Sequence, residues 1–242
     1  MEAALERCDK LVDTGHMVEA LGTIIPFKDN PNPEVQWRLA RSIFKEAEYK
    51  GTGPKHKAIA EAAEVLEKTL AVKEDCWNSH IWLAIVLGSK DKHESFKKQI
   101  EEAFIIRKHI DRAIELSPKS ELIYHVLGHW CYQVASVSWL QKKTAATLFA
   151  KPPEATLEDA LSAFKKTEEL CPNIFNNNHL LMAKVLIDMG KKENAQEYIK
   201  KCFVISEIKK NDKESLDNIE EAKLLAKKCG LKLNANQVIV RE

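Results

Sequence analysis

The sequence is poor in residues that turn or break the chain. Its 242 residues include 8 Gly and 8 Pro, fewer turn formers than β-sandwiches and barrels usually need. Long apolar runs are also missing, since stretches such as Ile81–Gly88 are far shorter than the roughly 20 residues of a membrane-spanning helix. Residues 1–15 are charged from the second position and lack the apolar segment of a signal peptide. We therefore expect no β-rich fold, no transmembrane segment and no signal peptide.

The chain also lacks an excess of either charge. It has 37 Lys and Arg against 36 Asp and Glu, and 45% of its residues are hydrophobic, which is too apolar and too balanced for a disordered protein. Sequence-independent nucleic-acid binders usually carry a marked basic excess, so nucleic acid is not an expected partner. The six cysteines lie 27 to 68 residues apart without a C-x-x-C pair. This spacing indicates reduced, mostly buried thiols rather than a disulfide or zinc framework.

Helical periodicity runs through almost the whole chain. Apolar residues recur at three- and four-residue steps in stretches such as 58–70 and 104–116, as they do on the buried face of an α-helix. Turns that contain Pro or Gly separate these stretches. Two-residue alternation, the sign of a half-buried strand, is confined to a short segment at 237–240. The pattern predicts an all-α chain of about a dozen helices.

The helices repeat with a period. Tetratricopeptide repeats are 34-residue helix pairs with W-x2-L-G-x2-Y in the first helix, A-x3-F in the second and Pro at the end. Y-x2-L-G-x2-C at 124–131 fits the first helix, and A-x3-F at 160–164, followed by Pro172, fits the second. Small residues spaced by seven and then five occur in two further places: Cys8, Gly15 and Ala20, and Ala183, Gly190 and Ala195.

The repeat spacing also predicts an insertion. Pro118 and Pro172 are 54 residues apart where one period is 34, and Gly128 and Ala160 are 32 apart where the pattern gives 12. Both differences equal 20, so about twenty residues near 137–155 are inserted between the two helices of one repeat. We expect one tetratricopeptide-like helical-hairpin array, an α-solenoid, over residues 1–230. An amphipathic capping helix at 216–229 closes it, and a C-terminal tail follows at 231–242.

Several stretches resemble the regulator of microtubule dynamics family. They are WRLAR at 37–41, SHIWLAI at 79–85, AFIIRKHIDRAIELSPK at 103–119, HVLGHWCY at 125–132 and WLQKKTAATLFAKPPEATLEDALSAF at 139–164. The resemblance implies a non-catalytic, cytosolic tetratricopeptide-type domain that associates with microtubules and with the mitotic spindle, its poles and its proteins, in chromosome segregation. Some relatives carry an N-terminal membrane anchor and act at organelle surfaces, where the domain is implicated in lipid or tether binding. The lack of such an anchor favours the soluble, spindle-type interpretation.

One window stands out by its charge. Residues 122–153 contain no Asp or Glu, although the chain has 36 acids. The window holds Lys142, Lys143 and Lys151, with Trp139 and other aromatic residues between them, and most of the predicted insertion. Insertions in repeat arrays often emerge on a binding face, and lysines with aromatic residues suit an extended acidic partner. Under the family resemblance this partner is the acidic surface of tubulin and its tails; the alternative is aromatic core and ordinary surface lysines.

A second candidate surface is the groove lined by the first helices of the repeats. A lipid or a peptide is the ligand that we expect there. For His125 and His129 the alternative to ligand binding is a core position with satisfied hydrogen bonds. They have the spacing of two zinc ligands, but Val126 stands where an H-E-x-x-H site has Glu, so no metal is expected. By the repeat register, six side chains of two successive repeats face the groove: His125, His129, Tyr132, Gln133, Asn177 and Lys184.

A third candidate is a basic stripe of Arg38, Arg41 and Lys45 at helical steps. Glu34 and two further acids lie close to it in the sequence, so the alternative is a face of salt bridges, which contributes little to stability. Successive lysine pairs fall on opposing helix faces and are expected to be solvated surface. These pairs are 191–192, 200–201 and 209–210.

The sequence carries no enzyme signature. It has no Gly-rich phosphate loop, no G-x-S-x-G elbow and no acid pair whose spacing forces one pocket. Cys131 and His129 point to different sides of their helix, so they do not form a nucleophile pair. We therefore expect an interaction protein without cofactor or metal. The first hypothesis is a helical array that binds microtubules directly, and the second is a lipid- or peptide-binding tether at a membrane.

Overall fold

Helices fill most of the chain, as the periodicity predicts. The computed structural model describes residues 1–51, 55–90, 95–149, 151–206, 212–233 and 239–241. Within these residues the chain forms twelve α-helices, one 3₁₀ turn and two three-residue strands, so the predicted all-α class is correct. The chain divides into two units, which we call unit 1 (Met1–Pro118) and unit 2 (Lys119–Glu242).

Unit 1 consists of three helical hairpins. Helix α1 packs against α2, α3 against α4 and α5 against α6, and neighbouring hairpins meet through α2 with α3 and α4 with α5. Asn32 caps α3, because its side chain accepts a hydrogen bond from the Glu34 N–H at 2.9 Å. A 3₁₀ turn, Ile25–Phe27, follows α2. The helices are α1 Glu2–Asp13, α2 Met17–Ile24, α3 Pro33–Lys50, α4 Lys55–Val72, α5 Trp77–Gly88 and α6 Phe96–Leu116.

Unit 2 has two helix pairs, a capping helix and a small sheet. Its helices are α7 Glu121–Ala135, α8 Trp139–Leu148, α9 Leu157–Leu170, α10 Asn176–Asp188, α11 Lys192–Lys201 and α12 Lys213–Lys228. Helix α7 pairs with α9, α10 pairs with α11, and α12 packs on both α10 and α11. Strands β1 Val204–Ser206 and β2 Ile239–Arg241 pair in parallel. Strand β2 overlaps the short stretch of two-residue alternation at 237–240, but its pairing with β1 was not predicted.

The pairing of α7 with α9 confirms the insertion within one repeat. Helix α8 and the segment up to residue 156 lie between the paired helices in sequence. The pair meets at Gly128, where an added Cβ would lie 2.5 Å from Cδ1 of the fully buried Phe164. Such close packing needs a residue without a side chain, so the glycine of the repeat pattern has a direct physical cause.

The other predicted repeat positions mark helix contacts and turns. Gly15 and Gly190 lie in the turns of two hairpins and have φ values of +81° and +77°, a conformation that strains other residues. On either side of each glycine a small residue lets two helices approach. These four residues are fully buried: Cys8, Ala20, Ala183 and Ala195.

Helix α12 closes unit 2, as predicted. Its residues Ile219, Ala222 and Ala226 join the buried core of α10 and α11. The helix ends at Lys228, Gly230 beyond it has φ of +66°, and the N–H of Leu231 donates to the Ala226 carbonyl at 2.9 Å. This is the Schellman ending that glycine favours.

Replacing Gly128 tests the contact between α7 and α9. Gly128→Ala places a Cβ against Phe164 and should lower the free energy of unfolding by about 1–3 kcal/mol, as overpacking does. The matched control is Gly22→Ala in α2, where an added Cβ has no atom within 4 Å; helix propensity predicts a gain of roughly 0.5–1 kcal/mol. Urea denaturation of both variants measures the difference. Stabilisation of both variants would contradict a tight contact at Gly128.

Candidate functional site

The insertion presents a solvent-exposed helix. Helix α8 begins with a capping box, in which Ser138 Oγ accepts from the Gln141 N–H at 3.3 Å and Gln141 Oε1 accepts from the Ser138 N–H at 3.2 Å. Of the side chains described at 141–148, Ala145 alone is buried, and Leu148 is 48% exposed. A helix of this length is marginal by itself. The capping box and the buried Ala145 therefore help to order it.

The lysines of the insertion lie on this exposed surface. Lys142, Lys143 and Lys151 are all exposed, and Lys142 Nζ donates to the Ala135 carbonyl at 3.1 Å. Across the described ranges of the chain, no carboxylate forms an ion pair with Lys142 or Lys151. The side chain of Trp139, a further member of this candidate site, lies outside the described residues. Lys142 and Lys151 thus keep their positive charge exposed on this surface.

His125 contacts the next hairpin and the aromatic core. Its Nδ1 lies 3.0 Å from Oδ1 of Asn178, and its ring centroid lies 5.8 Å from that of Phe164 and 5.1 Å from that of Phe175. This partly buried ring joins α7 to α10. The geometry is that of a hydrogen-bonded histidine at the edge of the core, and it leaves His125 little surface for a ligand.

Asn178 lies at the centre of a buried polar network. Its Nδ2 donates to the Phe164 carbonyl and to Oε1 of Glu168, both at 3.0 Å. Oε2 of Glu168 accepts from the Asn173 N–H at 3.0 Å and lies 3.0 Å from Nε2 of the buried His179. Burial alone would raise the pKa of Glu168, but His179 and Asn173 outweigh it, so this pKa lies below its ordinary value.

Polar contacts also join α7, α10 and the capping helix α12 in unit 2. The Tyr132 hydroxyl donates to Oδ2 of Asp188 at 2.7 Å, and burial together with this carboxylate raises the pKa of Tyr132. Lys184 Nζ lies 2.7 Å from Oε1 of Glu221. These contacts connect α7 to α10 and α10 to α12. Sequence reasoning placed Tyr132 and Lys184 in a groove but did not suggest either acidic partner.

The remaining groove candidates are more accessible. His129 and Gln133 are exposed, and Gln133 Nε2 lies 3.4 Å from Nδ1 of His129. Asn177 is partly buried at the start of α10. Within the described residues, no three His, Cys, Asp or Glu side chains are grouped so that they could hold a metal ion.

The comparison with protein families agrees with this architecture. A profile described as Regulator of microtubule dynamics protein 1-3 matches residues 4–229. The chain belongs to the regulator of microtubule dynamics family. The resemblance seen in the sequence is therefore confirmed.

Two relatives show how much of a family member the chain represents. Regulator of microtubule dynamics protein 1 of Bos taurus is 34% identical over 204 residues, which are 84% of this chain and 64% of the relative. Regulator of microtubule dynamics protein 3 of Xenopus laevis is 34% identical over 189 residues, 78% of this chain and 41% of the relative. The chain thus spans about two thirds of the first relative and less than half of the second.

A solved structure identifies the fold. TTC0263, a thermophilic TPR protein of Thermus thermophilus, matches this family member with a TM-score of 0.64 at 15% identity, covering 92% of this chain and 98% of that chain. At this identity the likeness bears on the fold alone, and it confirms the tetratricopeptide-like helical array. None of the described helices is both long enough and apolar enough to cross a membrane.

In unit 1, Arg38 and Arg41 form ion pairs with acidic side chains of the chain itself. Arg38 Nε lies 3.0 Å from both carboxylate oxygens of Asp9, and Arg41 Nη2 donates to Oδ1 of Asp9 at 2.6 Å. Both guanidinium groups lie over the ring of Trp37, with Cζ 4.2 and 4.9 Å from its centroid. Arg38 also pairs with Glu34 at 2.8 Å. Because Asp9 and Glu34 occupy these arginines, we leave both out of the proposed partner surface.

Removing Asp9 tests this structural role. Asp9→Ala leaves two guanidinium groups without their shared carboxylate, and Arg41 is only 7% exposed. We expect a loss of roughly 2–4 kcal/mol in the free energy of unfolding. Glu34→Ala, which removes an exposed partner of Arg38, is the control and should cost less than about 1 kcal/mol. Equal urea midpoints for the two variants would show that Asp9 has no special role.

Unit 1 also contains a pair of histidines that sequence reasoning missed. Nδ1 of His80 lies 2.8 Å from Nδ1 of His109, and Nε2 of His80 lies 2.7 Å from the Glu74 carbonyl oxygen. A carbonyl only accepts, so with both rings neutral His80 carries its proton on Nε2 and His109 donates to it. Burial lowers the pKa of both histidines, and His80 and Lys108 help to lower that of His109 to about 4.

This pair predicts a loss of stability in acid. The pKa of His109 is about 4 in the folded chain and about 6.5 in an unfolded one. The unfolded chain therefore binds protons first, and the stabilisation is complete above about pH 6.5 and lost as the pH falls towards 4. Between pH 7 and 4.5, wild type should lose about 2 kcal/mol more than His109→Gln. Urea titrations at each pH measure this, and parallel losses would contradict it.

Proposed function

We propose that this chain is a non-catalytic microtubule-associated protein that binds microtubules directly and regulates their dynamics in the cytoplasm. Membership of the family supports this role, because the relatives are named as regulators of microtubule dynamics. The matched residues cover most of the chain, including both units. Support of the mitotic spindle and of chromosome segregation, at the spindle and its poles, is part of the same proposal.

The exposed insertion, whose lysines lie in the acid-free window 122–153, is the observation that carries the proposed binding mode. Lys142 and Lys143 lie on α8, where Ala145 alone is buried among the side chains described at 141–148, and Lys151 follows this helix. No carboxylate of the described chain pairs with Lys142 or Lys151. Uncompensated positive charge attracts an acidic polymer over several ångströms and raises the rate of encounter. The exposed Leu148 adds apolar contact area. A microtubule, with its acidic surface and tails, is a partner of this chemistry.

The alternative function is a tether whose groove holds a ligand. The groove side of α7 and α10 exposes His129 and Gln133 and is crossed by the Tyr132–Asp188 hydrogen bond. Such polar lining favours an extended peptide over a lipid chain, because a lipid would leave these polar groups without partners. Pelleting of the protein with anionic liposomes, in parallel with microtubules, separates a membrane tether from a microtubule-binding protein.

Charge reversal in the insertion tests the first proposal. Lys142→Glu, Lys143→Glu and Lys151→Glu together replace three positive charges by three negative ones on an exposed surface. We expect the triple variant to bind taxane-stabilised microtubules at least about tenfold more weakly than wild type in low salt, because attraction becomes repulsion. Co-sedimentation across a salt series measures this, and wild-type binding should weaken as screening rises.

The matched control reverses Lys57, Lys119 and Lys165, which are exposed lysines outside the insertion. It produces the same change in net charge, so it separates local from global electrostatics. Circular dichroism confirms that both variants remain helical. Equal loss of binding in the two triple variants, or unchanged binding in the insertion variant, would refute the proposed surface.

A further inference from the structure

A second stretch of the chain is free of acids. Residues 222–241 contain no Asp or Glu, but they include Lys223, Lys227, Lys228 and Lys232. The stretch begins in the C-terminal half of α12 and continues past the end of that helix. Sequence reasoning did not single it out, since the lysine pairs considered there lie elsewhere in the chain.

The structure separates this stretch into a buried and an exposed face. Ala222 and Ala226 are fully buried and Leu225 packs against the same core. Lysines 223, 227, 228 and 232 are exposed, and among them lies Leu224, which is 64% exposed. We call residues 223–232 the α12 patch. Its outer side combines four positive charges with a large apolar side chain in water.

Little of this charge is neutralised. Lys223 pairs with Glu220 at 2.6 Å, while in the part of the chain that the structure describes Lys227, Lys228 and Lys232 form no ion pair. Two lysines in the last turn of a helix stabilise its dipole, which accounts for Lys227 and Lys228 structurally. Helix stability does not account for Lys232, beyond the helix end, or for the exposed Leu224.

We propose that the α12 patch is a docking surface for an acidic, extended polypeptide segment. Complementary charge sets the class of partner, and Leu224 gives an apolar contact at the centre of the lysines. A membrane is the less suitable occupant, because a single exposed leucine inserts little apolar area. The next exposed leucine, Leu216, is two turns away, beyond the acidic Asp217 and Glu220.

This surface is distinct from the insertion and does not require microtubule binding. The partner is defined by its charge and by an extended backbone, and it can be tested with a synthetic probe. A negative result at the α12 patch therefore leaves the proposed function intact. Loss of microtubule binding through the insertion would likewise leave the α12 patch to be judged separately.

The probe is a fluorescein-labelled dodecapeptide of glutamate, and its anisotropy is measured with the full chain at low salt. Lys227→Gln, Lys228→Gln and Lys232→Gln together should weaken binding roughly fivefold or more, because they remove three charges and keep helix-compatible side chains. Leu224→Ser should weaken binding about twofold to threefold. The matched control, Lys57→Gln, Lys119→Gln and Lys165→Gln, should change binding less than about twofold.

Three outcomes would overturn the proposal. In the first, the control triple weakens peptide binding as much as the patch triple does, so that net charge alone matters. In the second, only the charge-reversed insertion variant loses peptide binding. In the third, the patch variants bind the peptide as wild type does but lose binding to phosphatidylserine vesicles, which would assign the α12 patch to a membrane. Circular dichroism of every variant excludes unfolding as the cause.

Discussion

Close contact between paired helices at small residues is the interaction on which the rest of the structure depends. Gly128 lets α7 approach the buried ring of Phe164 on α9, although a whole helix lies between the two in sequence. Because α9 returns to α7, the intervening segment has no place in the core of the pair. The same tight packing that closes the hairpin therefore leaves α8 and its lysines on the surface.

Local sequence patterns predicted the hairpins because their causes are local. The spacings of seven and five residues around Gly15 and Gly190 place buried small residues on either side of a turn in which the glycine has positive φ. The insertion was recognised because one repeat is about twenty residues longer than the 34-residue period. Contacts between distant residues left no such trace. Nothing in a helical pattern relates Asp9 to Arg38 or His80 to His109, since these pairs form only when two helices pack side by side. The strand pair has the same cause, because β1 and β2 lie on either side of α12 in sequence.

The near-zero net charge of the chain conceals an uneven distribution. On several helices a lysine pairs with a glutamate three or four residues away, as in Lys68 with Glu64 and Lys201 with Glu197. Such exposed pairs add little stability, but they remove local charge. Lys142 of the insertion and Lys227, Lys228 and Lys232 of the α12 patch have no acid within that spacing, and within the described residues no carboxylate pairs with them. Local acid depletion, rather than total charge, therefore selects the surfaces that attract an acidic partner.

Buried polar groups fix the orientation of the helices, whereas surface lysines are the groups proposed to bind a partner. His125, Asn178 and Glu168 bond to one another across helix boundaries, and in unit 1 the two histidines join α5 to α6. These contacts fix helix orientation, and their response to acid is a change in folding stability. Binding through exposed lysines responds instead to ionic strength, because screening acts on charges in water. If partner binding weakens with salt, but does not change over the pH range in which folding stability changes, it is a property of the surface lysines. The buried polar groups then contribute only by maintaining the fold that presents these lysines.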